Sequence, residues 1–94
     1  VENLTSSLAR RYGYTEDMKG VLVTQVQPLS PAADAGISRG DVIREINQVT
    51  VESVSQYRRL LRDALSKGDV VLFYISSVDA FGNVTSRYVA VRVG

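Results

Sequence analysis

The stretch from Gly20 to Gln48 limits the possible folds of this chain more than any other, because its turn and stop residues divide it in one sensible way. Val21, Leu22, Val23 and Val26 make a β-branched, apolar run that Pro28 closes, which predicts a strand. Ser30 can cap a helix with its hydroxyl, Pro31 suits the first helical position and Gly36 suits a left-handed stop, so a helix of little more than one turn is expected between them. Ile37 then points back to the core. Ser38-Arg39-Gly40-Asp41 predicts a tight turn, and Val42 to Ile46 a second strand that ends at an Asn47-Gln48 turn.

The flanks extend this pattern. Val1 to Leu4 predicts a short strand, and Thr5 or Ser6 can cap a brief helix through Leu8, Ala9 and Tyr12 that stops at Gly13. Val49 and Val51 form a short return. Ser53 with Gln56 three residues later has the form of a capping box, and Val54, Tyr57, Leu60, Leu61, Ala64 and Leu65 recur at helical spacing up to Gly68. Tyr57, Leu61 and Leu65 read as core. Val70 to Ile75 is apolar on both parities, as in a strand covered on both faces. Asp79 to Asn83 predicts a hairpin turn, after which Val89, Val91 and Val93 alternate with Tyr88, Ala90 and Arg92. The expected class is α+β: a small, partly open β-barrel or sandwich of five to six strands, capped by one long and one or two short helices. Its 94 residues suit one domain with one modest core.

Composition removes several kinds of chemistry. With no histidine and no cysteine, the chain cannot assemble a Ser-His-Asp triad, a thiol nucleophile, a thiolate metal site or a disulfide. Glu16, Asp17, Asp34, Asp41 and Glu45 follow no metal-binding spacing. No catalytic residue, metal or cofactor is therefore expected. A net charge of +1 gives no bulk attraction to nucleic acid, and no apolar run approaches a membrane span. Residues 1–20 also lack the basic start and apolar block of a secretory leader. Arg58, Arg59, Arg62 and Lys67, offset by Asp63, read as a solvated helix face.

The run from Gly20 to Asn47 carries a resemblance. Its strand leads to Ser30-Pro31-Ala32, then Ala35-Gly36-Ile37, then Gly40-Asp41-Val42-Ile43, then Ile46-Asn47, which is similar to bacterial PDZ domains. The first strand and helix resemble those of extracytoplasmic HtrA/Deg-like serine proteases, and Arg87 to Val93 resembles the closing strand of their second PDZ. The resemblance implies a PDZ-like fold over residues 1–94, with a groove between a strand and the long helix where a ligand segment adds as an extra strand. On that basis Val1, Glu2, Asn3 and Leu4 are expected as the strand wall, and Gln56, Leu60 and Ala64, which share one helix face, as the helix wall. The carboxylate-binding loop is expected at or just before Val1. The implied partners are C-terminal or unfolded apolar segments and the protease domain of the same periplasmic parent chain, without nucleic acid or membrane insertion, the isolated domain being a monomer. Two other readings are an architectural domain for protease assembly, and the PDZ of an intramembrane metalloprotease or C-terminal-processing protease.

Overall fold

The computed structural model describes residues 1–92, so the outward or inward placement of Val93 lies outside the described residues. In chain order the elements are β1 (Glu2–Asn3), α1 (Ser6–Arg11), β2 (Val21–Leu22), α2 (Pro31–Asp34), β3 (Val42–Ile46), β4 (Val49–Thr50), α3 (Val54–Lys67), β5 (Val70–Val78) and β6 (Val84–Arg92). Six strands, one long helix and two short ones agree with the expected class. The strands form a single open antiparallel sheet ordered β1-β2-β3-β5-β6, with β4 paired to β3.

Local chemistry explains most boundaries. Thr5, Ser30 and Ser53 each accept an N–H three residues on, from Leu8, Ala33 and Gln56 respectively, and so cap α1, α2 and α3. Asp79 accepts the N–H groups of Phe81 and Asn83 at 2.8 and 2.9 Å, which tightens the turn between β5 and β6. These bonds, that of Asn83 foremost, hold its carboxyl below the usual range. Gly20 is needed for close approach: at φ +152° an added Cβ would lie 2.6 Å from the Ile43 carbonyl oxygen.

Alternation along the strands sends side chains to two separate clusters. Val21, Val23 and Ile43 face α3 and pack with Ile75, Val71 and Phe73, whereas Leu22 and Val42 face α1 and pack with Ala9 and Tyr14. Strict period-two alternation would put Ile46 on the face opposite Ile43. A register shift between Ile43 and Glu45 in the β3–β5 pairing returns Ile46 to the α3 side.

Three expectations need correction. The first strand of the central run pairs only over Val21–Leu22, not to Val26, because β3 begins at Val42 and the Ser38–Asp41 turn before it holds Val23 alone. The strand expected over Val70 to Ile75 continues to Val78, held by β6 along its full length. Leu65 is 43% exposed instead of buried, since it lies at the edge of the apolar stripe and Ala64 takes the central position.

Tyr14 fastens the α1 side. Its hydroxyl lies 2.7 Å from the Gly40 carbonyl oxygen and 3.0 Å from that of Ser76, bridging the turn before β3 to the end of β5. Burial, and next the negative charge of Asp41, push its pKa up to about 12. A phenol whose pKa is higher folded than unfolded adds stability below the unfolded value, and that stability is lost as pH rises through the folded one. Stability should therefore fall between pH 10 and 12 by up to one proton's worth of slope. Urea titrations of Tyr14→Phe should show about 1–2 kcal/mol lost at neutral pH and a shallower alkaline decline.

Candidate functional site

Past Leu22 the sheet stops short of its own chain. The Val23 N–H donates to the Asp41 carbonyl and its carbonyl accepts the Gly40 N–H, both at 2.8 Å, so both Val23 groups point toward β3. Backbone groups alternate sides along a strand, so Leu22 turns its groups to Glu2 of β1, and Asn3 presents its own on the outer side of β1. β1 is the edge strand of the sheet: it pairs β2 through Glu2–Leu22 and Asn3–Val21, and among the described residues no strand pairs its other side.

Beside this edge lies an apolar trough of about 280 Å³. Val1, Val23, Val26, Ile43, Tyr57 and Leu61 contribute to its walls. One end is fixed by Asn3, whose Oδ1 accepts the Val54 N–H at 2.8 Å and so ties β1 to an otherwise unpaired amide at the start of α3. Lys19 and Glu52 form an exposed ion pair of 3.1 Å nearby in the fold, beside the helix cap. Burial raises the Tyr57 phenol, which therefore stays neutral and able to donate.

The residues singled out from the sequence are distributed unevenly. Val1 lines the trough, Glu2 and Asn3 form β1, and Leu4 turns to the opposite face, where it packs on the cluster under α1. On the helix, Gln56 is engaged in the cap: its Oε1 accepts the Glu52 N–H at 2.8 Å. Leu60 packs on the core and Ala64 is buried in it. Steps of about 100° per residue put Leu61 about 40° to one side of Tyr57 and Leu60 about 60° to the other. The trough meets the helix on the Leu61 side. Helical spacing assigns Tyr57 and Leu61 to the core and cannot separate them from it, because both belong to one apolar stripe. The one available signal is that the stripe is wider than a single line of contacts.

The arrangement can do one kind of chemistry: it offers unpaired main-chain groups beside an apolar surface, the requirements for accepting an extended segment as an added strand. A family model described as "PDZ domain" matches residues 22–73. The chain belongs to the PDZ family. PDZ domains are non-catalytic modules, in keeping with the lack of histidine and cysteine. Among curated proteins, this PDZ domain is 37% identical over 79 residues to a probable periplasmic serine endoprotease DegP-like of Chlamydia trachomatis, covering 84% of this chain and 16% of that protein. It is 40% identical over 87 residues to the DegP-like protein of Brucella suis, with coverages of 87% and 16%. The chain thus spans about one sixth of these relatives. Among solved structures, the HtrA3 PDZ domain bound to a phage-derived ligand (FGRWV) matches with a TM-score of 0.71 at 22% identity, covering 97% of this chain and 76% of that one, a likeness of fold. A PDZ domain protein from Parabacteroides distasonis matches with a TM-score of 0.62 at 35% identity, covering 78% and 15%.

The Asn3 contact generates a direct prediction. Asn3→Ala leaves the Val54 N–H without its acceptor and should cost about 1 kcal/mol in urea unfolding, with faster hydrogen exchange at that amide.

Proposed function

We propose that this PDZ domain takes up C-terminal or unfolded apolar segments by strand addition, and so feeds or regulates a serine protease domain in the same extracytoplasmic parent protein. The observation that carries the reading is the free edge of β1, which lies against the start of α3 beside the apolar trough. Main-chain bonds along that edge supply sequence-independent affinity, and the trough selects apolar side chains. The periplasmic endoprotease names of the relatives support the parent and its location, and the peptide held by the HtrA3 domain supports the ligand class.

In this reading Val1 to Leu4 form the strand side, with the carboxylate nest at or before Val1. The helix side is Tyr57 and Leu61, with Ala64 giving close approach beneath them. Gln56 and Leu60 contribute by holding the cap and the core, which fixes the helix against the sheet.

Titration of the 94-residue chain with short apolar peptides, each as free acid and as C-terminal amide, tests this by amide chemical shifts. Shifts are expected at Val1–Leu4 and around Tyr57 and Leu61, and a preference for the free acid assigns the carboxylate nest to residues within this chain. The absence of shifts at these positions with every peptide would overturn the proposal.

A further inference from the structure

The flank of α3 that borders the trough carries a second, charged feature. Counting about 100° per residue from Tyr57, Leu65, Arg58 and Arg62 follow Leu61 round that flank at about 80°, 100° and 140°. Arg58 and Arg62 are exposed, and Leu65 is 43% exposed between them and the trough wall. The ion pairs among the described residues are Arg10–Glu16 and Lys19–Glu52, so neither arginine has a carboxylate partner within 4.0 Å. Asp63, the one carboxylate on α3, lies on the other flank with Arg59. The helix flank next to the Leu61 wall therefore carries an apolar residue beside two cations one turn apart, with no carboxylate within 4.0 Å of either among the described residues.

Resting on the reading of the trough as a strand-addition site, we propose that Arg58 and Arg62 make this flank select apolar segments that carry Asp or Glu side chains at alternate positions. The spacing supports that choice. Residues four apart on a helix have Cβ atoms about 5–6 Å apart, and same-side residues of a strand repeat every ~6.6 Å, so a strand lying along α3 can offer one carboxylate to each guanidinium. Arginine suits the role because its planar donor fork matches a carboxylate in two bonds. Leu65 adds an apolar contact between the two polar ones.

The test uses peptides amidated at the C-terminus, so that no terminal carboxylate is present, identical except for two Glu or two Gln at alternate positions beside one apolar run. Calorimetric titration should show the Glu peptide binding about three- to tenfold tighter at low salt, with the advantage nearly gone by about 0.5 M salt. The double variant Arg58→Gln with Arg62→Gln should lose the advantage while keeping its affinity for the Gln peptide, and Arg59→Gln should retain it. Glutamine is about as good a helix former as arginine and these positions are exposed, so α3 is preserved. Equal affinity for the two peptides, or an advantage that survives the double variant, would overturn the inference and leave strand addition standing. Failure of both peptides to bind would overturn the trough reading itself, and the inference with it.

Discussion

Two hydrogen bonds of 2.8 Å, from the Val23 N–H to Asp41 and from Gly40 to the Val23 carbonyl, decide the layout of this domain. They close the loop that carries α2 and hold the turn before β3. They also hold Val23 directly after β2, the strand on which the edge strand β1 is laid. Around this junction the fold adds restraints: the Asp41 carboxylate accepts the Ser38 N–H at 2.9 Å, the Tyr14 hydroxyl reaches the Gly40 carbonyl, and Gly36 and Gly40 adopt φ of +86° and +92°. The motif most recognisable in the sequence is thus a clamp. Its relation to function is indirect, because it holds β2, the strand that the edge strand β1 pairs with.

Features that depend on a few neighbouring residues were legible from the sequence. Helix caps at Thr5, Ser30 and Ser53, the stop at Gly68 and the Asp79 turn all follow from side-chain oxygens and glycines within three or four positions. The long-range features were not. The length of β2 depends on where two other segments end, and the register shift in β3 depends on how it meets β5. At the Asn47–Gln48 turn the sequence showed a turn but not its tie to β5: the Asn47 N–H donates to the Leu72 carbonyl at 2.7 Å, and its Oδ1 accepts the Leu72 N–H at 2.9 Å.

The helix wall of the trough shows the same limit in a different form. Tyr57, Leu60, Leu61 and Ala64 are indistinguishable by period, and of these only Tyr57 and Leu61 line the trough. The Asn3–Val54 bond ties β1 to the start of this helix across 51 residues. Resemblance to a family implied a helix wall of Gln56, Leu60 and Ala64; in the structure Gln56 bonds the cap, and Tyr57 and Leu61 line the trough. The basic residues behave similarly. As a sequence run they read as a solvated face, and the helix geometry divides them into a trough-side pair and Arg59 beyond it.

Strand addition requires the outer side of β1 to be an edge that a partner strand completes. Residue-resolved hydrogen exchange with and without a saturating apolar peptide tests this most directly, because alternation fixes which amides face the open side. The prediction is marked slowing at Asn3 with little change at Val23, whose N–H is already bonded to Asp41. Unchanged exchange at Asn3 while the peptide is demonstrably bound would contradict it.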